Sequence, residues 1–525
     1  MYNCKKNILA GFILLFVFVL IVGCSGAKEG SSKPGEGNSK ETSNSGGKPQ
    51  AGGELVAAAG ADITSFDPIL STNAGDYQFL WPVYDTLTRY NSKLELQPGL
   101  AEKWEYPDDK TLVLHLRKGV KFHDGTDFDA EAVKINMERV KSKDSTISDF
   151  KNVESFEVVD PHTIKFHLKQ PDASILLALA ERAGIIVSPK AIKEYGKDIA
   201  QKPVGTGPFK FVKRVPNGEI VYEKFDGYWK EKEPFLDKLT IKIMPNETTR
   251  INALKSGEID LIQGVSPFSV ESLEGTPNIK VENVTSFTEK IIVFNAKKPP
   301  FDNKAFRQAL KLAIDRKAIT KTLLRGYGKP AYQIFPNEYW AANHDLKIDY
   351  DPEKAKQLLA ESGVKKPSFS MITTTQDYYE PMFSDMLKEQ FAKVGIEMKT
   401  ESMEGTAAIG QFWSEKKFEA FSSGVAGKSD PHLLLEIWVA KDSFYNAGNH
   451  TTPELDKLIA EANATYDQTE RGKLYSEINR IQSEEVINLL PVVSTPVIYA
   501  MNEKVKGFEP NGLVKSYFPS IWLEK

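Results

Sequence analysis

Residues 203–229 read PVGTGPFKFVKRVPNGEIVYEKFDGYW. Two strand-like runs, FKFVKRV and EIVYEKF, flank a Pro216-Asn217-Gly218 turn, which predicts a β-hairpin. Upstream, HTIKFHLKQ (162–170) puts Ile164, Phe166 and Leu168 on one face at period two, and downstream LTIKIMP does the same with Leu239, Ile241 and Ile243 before Pro245. Further along the pattern turns helical. FDNKAFRQALKLAIDRKAI groups Phe306, Leu310, Ala313 and Ile314 behind a cap at Asp302 or Asn303. YDPEKAKQLLAESG starts with Asp351 as cap and Pro352 in the first turn, and stops at Gly363. Strands and helices alternate without a strict βαβ rhythm, so α/β units with mixed sheets are expected.

The N-terminus sets the compartment. MYNCKKNILAGFILLFVFVLIVGCSG has a basic pair, Lys5 and Lys6, and then 15 residues without a charge from position 8 to 22. That is short for a spanning helix of about 20 residues, and suits a secretory signal over residues 1–23. Gly23 before Cys24 resembles the lipobox of bacterial lipoproteins, which implies a lipidated Cys24 as the mature N-terminus. Residues 25–53 hold eight Gly and six Ser and almost nothing apolar. Such a stretch cannot bury enough surface to order itself, and as a flexible linker (24–53 with its Cys) it has a root-mean-square span of roughly 30 Å. The expected location is the extracytoplasmic face of a cell membrane, held by the lipid anchor.

Both cysteines, Cys4 and Cys24, lie in this leader, so the body has neither a disulfide nor a thiol for metal or catalysis. Without residues 1–23 the chain carries 65 basic and 71 acidic residues; this balance gives no nucleic-acid surface. A body of this length exceeds what one core supports, so several domains are expected.

Four stretches in order resemble the extracellular solute-binding proteins of dipeptide, oligopeptide and nickel ABC importers, known as family 5. They are LHLRKGVKFHDGTDFDAEAVKINMERV (114–140), the opening stretch at 203–229, IMPNETTRINALKSGEIDLI (243–262) and FNAKKPPFDNKAFRQALKLAIDRKAI (294–319). The likeness runs from about Gly53 to the C-terminus. It implies a periplasmic-binding-protein-like (type II) two-lobed Venus-flytrap of α/β class with an extra inserted domain. Lobe I is placed at 54–83, 204–292 and 493–525, the inserted domain at 84–203, and lobe II at 293–492. The implied protein is a monomer that closes on an oligopeptide or peptide-like solute and passes it to an ABC permease driven by its ATPase subunits, with no cofactor and no catalysis. A receptor for signalling peptides or for a chelated metal would use the same fold, and a surface-anchored hydrolase is the rival from another class.

The ligand loop of the family falls on SSGVAGKSDPH (422–432). Its GKS is the tail of a phosphate-binding loop, but Ser422 stands at the first glycine position and Pro431 interrupts the helix that should follow. Peptide-binding members resemble W-x-x-D-Y-x-[DE]-P here, the Asp pairing with the peptide's ammonium group. Aligned on Asp430-Pro431, this chain has Gly427 at that Asp position. The loop is closer to a variant that reads roughly G-W-x-G-[KR]-x-D-P. Asp430 then either takes the ligand's cation from a shifted position or caps the helix near His432. Lys428 either meets an anionic group or is solvated. Gly427 permits close backbone approach. The resemblance also implies Thr72, Asn73 and Ala74, in DPILSTNAGDY, as ligand contacts unless they form a surface turn, and it brings Asn446 near the ligand.

Among the seven histidines none has metal-ligand spacing, and only His432 falls beside the ligand loop. The string Asp124, Asp127, Asp129 and Glu131 lacks the calcium-loop pattern, and Asp129 reads as a helix cap. The nearest approach to a G-x-S-x-G elbow, GVSPF at 264–268, fails at its last position.

Overall fold

The opening hairpin forms where the sequence places it. Strands Phe209–Val215 and Glu219–Lys224 pair antiparallel around residues 216–218, with Asn217 at φ 56° in the turn. They are the edge of an eleven-stranded mixed sheet in a computed structural model that describes residues 48–375 and 378–525. The signal segment, Cys24 and most of the linker lie outside the described residues. Among those described, no helix is long and apolar enough to cross a membrane.

From the hairpin edge the sheet continues through Lys238–Ile243, Glu54–Ala59 and Leu261–Gln263 to two long strands, Leu489–Asn502 and Ile279–Phe294. Beyond these come Ala420–Val425, Ser368–Thr374 and Glu397–Met403. Leu239, Ile241 and Ile243 are buried on one face, and the opposite face of their strand buries Thr240, as expected where a strand has layers on both sides.

The two long strands run the length of the junction. Residues 289–294 of one pair with Ala420–Val425, while residues 499–501 of the other pair with Leu261–Gln263. Between these ends their mutual register slips: Thr285 pairs with Pro496, but Glu289 pairs with Ser494. The extra residues on one strand are a bulge, which bends a sheet locally. Ser286, Phe287 and Thr288 fill it, and Phe287 donates its backbone N–H to Gly512 O at 2.9 Å.

A separate four-stranded antiparallel sheet comprises Ala101–Asp108, Thr111–Leu116, Thr163–Leu168 and Val153–Asp160. Ile164, Phe166 and Leu168 turn inward as their spacing requires, into a core shared with helix Ala130–Val140. Asp129 caps that helix, accepting from Ala132 N at 2.9 Å. Asn303, rather than Asp302, caps helix Lys304–Ala313. The helical run read through Ile319 breaks at Ile314, which is extended, because Asp315 caps a second helix, Arg316–Leu323. Asp351 caps Pro352–Glu361, and Gly363 follows at φ 68°.

Candidate functional site

Strand Ala420–Val425 leads into residues 426–430, the candidate ligand loop, and helix Pro431–Trp438 takes the chain away from it. Asp430 caps this helix, accepting from His432 N at 2.8 Å. Its carboxylate is also gripped in bidentate fashion by Arg471, Nη1 to Oδ2 at 3.0 Å and Nη2 to Oδ1 at 2.9 Å. Asp430 is 0 % exposed. With every face engaged it has none to offer a ligand ammonium, and of the two readings the geometry supports the cap. Arg471 is fixed in turn by Ala462 O, Tyr475 Oη and the faces of Trp340 and Tyr475. Burial alone would lower its pKa, but Asp430 holds it raised. The loop's exit is thus clamped to the helix Gln468–Ile481 behind it.

Asn446 is likewise internal. Its amide nitrogen donates to Val439 O at 2.9 Å, and its oxygen accepts from His450 N and Asn488 Nδ2. It ties the backbone at Val439 and His450 to the side chain of Asn488 and is buried. His432 is buried too, 3.6 Å from Glu436, with its pKa lowered by burial.

Gly427 has a steric cause. A Cβ there would lie 2.1 Å from Phe287 Cβ and 2.7 Å from Phe287 O. The loop therefore rests directly on the bulge of the long strands, and only glycine permits the approach.

Lys428 is half-buried and forms no ion pair among the described residues. Its charge acts on Asp149, Glu181 and Lys515. These come from three distant parts of the chain. Lys515 Nζ pairs with Glu181 and stands 4.3 Å from the centroid of Tyr77. Tyr90 Oη lies 3.2 Å from Glu181 Oε1, and Arg182 donates its backbone N–H to Tyr77 Oη at 3.2 Å. Burial would raise the Glu181 carboxyl, but Lys515 beside it holds it below the usual value. Asp149 has no such partner, and burial pushes its carboxyl up against the pull of Lys428.

Thr72, Asn73 and Ala74 are exposed, on a loop that leads into Tyr77. The loop is shaped by buried Asp76, which accepts from Thr64, Ser71 and Asn73 N. Thr146 stitches it to the segment carrying Asp149, donating from Oγ1 to Ile69 O at 3.0 Å. Lys428 thus acts on the same charged seam as Asp149, Glu181 and Lys515, and the loop of Thr72 to Ala74 leads into Tyr77, which borders it. Asp430 and Asn446 stand behind it as supports.

Sequence reasoning missed Tyr77, Asp149, Glu181, Arg182 and Lys515. One signal was available: Glu181 and Arg182 are the lone charges in the apolar run SILLALAERAGIIVS (174–188). Charges in such a run are rarely buried without a task.

Beside the seam, a cavity of about 730 Å³ is walled by Trp81, Tyr90, Trp229 and Tyr517, with Arg89 and Glu509 among its polar groups. Arg89 is held against Asp85 and between the rings of Trp229 and Tyr517. Tyr90 borders both the cavity and the seam.

Across the seam, Ser429 Oγ donates to Leu177 O at 3.1 Å, Ala173 N to Asn463 O at 2.8 Å and Tyr466 Oη to Asp109 O at 3.0 Å. These contacts join segments far apart in the chain beside the charged groups. No nucleophile is paired with a base there, and among the described residues no three His, Cys, Asp or Glu stand together to hold a metal.

The family of bacterial extracellular solute-binding proteins, family 5 Middle, matches residues 95–446. The chain belongs to that family. The binding protein is 30% identical over 471 residues to the glutathione-binding protein GsiB of Salmonella paratyphi A, covering 87% of this chain and 91% of the relative. Its fold is similar to that of the periplasmic binding protein DppA from Helicobacter pylori in complex with a peptide, with TM-score 0.78 and 30% identity over 91% of this chain and 99% of the other. It is also similar to the oligopeptide-binding protein AppA from Bacillus subtilis in complex with a nonapeptide, with TM-score 0.76 and 26% identity over 91% of this chain and 100% of the other. The binding protein has the mixed α/β periplasmic-binding-protein fold, and its family binds solutes without altering them.

Proposed function

We propose that the binding protein captures a peptide or peptide-like solute in the seam between its two lobes and delivers it to the permease of an ABC importer. The observation that carries this is the convergence on one seam of Lys428 from the ligand loop with Asp149, Glu181 and Lys515 from outside it. Peptides carry an ammonium and a carboxylate at fixed separation, and a seam with both signs of charge meets both ends. In this reading Gly427, Lys428 and the loop of Thr72, Asn73 and Ala74 contact the ligand. The adjoining aromatic cavity receives what projects from it; its volume is in the usual range for small-ligand sites. Lobe I is 54–83, 204–292 and 493–525, the inserted domain 84–203 and lobe II 293–492, with the bulged long strands as hinge.

Relatives bind glutathione and peptides, by their names, and these are the first candidates. A ligand that binds only the folded state stabilises it by about 2.7 kcal/mol at a hundredfold excess over Kd. Thermal melting against reduced glutathione and a set of di- to pentapeptides is therefore expected to give a clear upward shift for at least one. No shift with any of them would overturn the proposal. Anchoring at Cys24 rests on the lipobox likeness. Cys24→Ser is expected to move the protein from the membrane fraction to the medium or periplasm, and full retention would overturn the anchor.

A further inference from the structure

Arg182 stands in the seam with a guanidinium nitrogen that has no acceptor among the described residues. Its neighbour's carboxylate is already spent on Lys515 and Tyr90. The backbone around it cannot shift to bring another. Arg182 N–H is bound to Tyr77 Oη, and a Cβ on Gly184 would fall 1.8 Å from Leu179 O, so the turn is seated directly on the preceding chain. On the side chain, Nη1 is buried and has no hydrogen-bond partner among the described residues. A desolvated guanidinium nitrogen with nothing to donate to is costly. Arg250, Arg307 and Arg316 each hold one such nitrogen too, but their guanidinium groups donate to backbone oxygens, and among the described residues that of Arg182 donates to none.

The surroundings favour an anion. The seam holds three cations, Arg182, Lys428 and Lys515, against two carboxylates, Glu181 and Asp149. Asp149 feels Arg182 through space without a hydrogen bond to it, and its burial works against its ionisation. The unmet positive charge is therefore at least one unit, and it sits where the ligand loop closes.

We propose that Arg182 docks a second ligand carboxylate, so that the binding protein selects acidic peptides over neutral and basic ones. This deepens the peptide reading above and rests on it. The planar guanidinium suits a carboxylate better than an ammonium does, because its two donors match the two oxygens. An acidic side chain or a side-chain-linked acid both present that group.

Calorimetric titration at fixed ionic strength separates the outcomes, with Ala-Ala-Ala, Ala-Glu-Ala, Ala-Lys-Ala and reduced glutathione as probes. Wild type is expected to prefer Ala-Glu-Ala or glutathione to Ala-Ala-Ala by about tenfold or more, the worth of one charge-assisted hydrogen bond. Arg182→Gln should remove that preference while changing Ala-Ala-Ala less than about twofold, and Arg182→Lys should restore part of it. Arg182→Lys keeps a positive charge in the seam, so the wild-type and Arg182→Lys comparison of acidic with neutral probes can be read even where Arg182→Gln folds poorly. Equal binding of neutral and acidic probes by wild type, or equal loss of all probes in Arg182→Gln, would overturn the role of Arg182 and leave peptide binding intact. Failure of wild type to bind any of the four would overturn the peptide reading and this inference with it.

Discussion

Two residues of the ligand loop, Gly427 and Asp430, shape it from below. Asp430 and Arg471 are a buried, bidentate pair, and such a pair is unforgiving when half of it is removed. Asp430→Ala strands a guanidinium between Trp340 and Tyr475. It is expected to destabilise the ligand-free protein by about 3–5 kcal/mol in denaturant unfolding. A loss within 1 kcal/mol would mean that the pair is not structural. Gly427→Ala forces a Cβ onto the backbone of the bulge, at an expected cost of about 1–3 kcal/mol. Because the clash is with Phe287 Cβ and O, Phe287→Ala should not rescue it. Full rescue in the double variant would show that the ring, and not the backbone, sets the contact. The loop motif singled out Asp430, but a one-letter pattern does not distinguish a carboxylate that faces a ligand from one that faces a partner within the chain. Arg471 lies 41 residues from Asp430, and nothing local joins them.

The bulged strand pair has its own titratable group. Glu289 is fully buried, its two oxygens accept from Ser494 Oγ at 2.9 and 2.7 Å, and Glu338 lies near enough to act on it. Burial, with a small push from Glu338, raises its pKa from 4.5 to about 8. The folded state therefore holds a proton that the unfolded chain has released, and stability falls as pH rises from about 4.5 to about 8. The window is worth roughly 5 kcal/mol at 1.36 kcal/mol per unit. Glu289→Gln keeps an acceptor for Ser494 and cannot ionise. It is expected to match wild type at pH 5 and to melt higher than wild type at pH 8.5; equal melting at both would remove Glu289 from the balance. At this scale much was legible beforehand. The hairpin at 203–229, the strands at 162–170 and 239–243 and the caps at Asp129 and Asp351 depend on spacing and turn chemistry within a few residues. The break at Ile314 was missed because Asp315 caps a new helix while the apolar period continues across it.

For the whole molecule, closure depends on a few contacts between segments far apart in the chain. Ser429 Oγ to Leu177 O and Tyr466 Oη to Asp109 O are two of them, each worth about 1 kcal/mol net. Ser429→Ala with Tyr466→Phe should shift the ligand-free protein toward an open form. The expected signs are a larger radius of gyration by small-angle scattering and ligand affinity weakened by roughly tenfold. Unchanged scattering and affinity would show that other contacts hold the closed state.

By itself the sequence determined the class of elements, their order and the family, because hydrophobic period, turn residues and caps act between near neighbours. The tertiary structure alone decided which charges meet. Asp149, Glu181, Arg182 and Lys515 are separated by up to 366 positions, from 149 to 515, and share one seam only once the strands have crossed. Burial and Coulomb attraction depend on distance in space, and no local pattern encodes that distance.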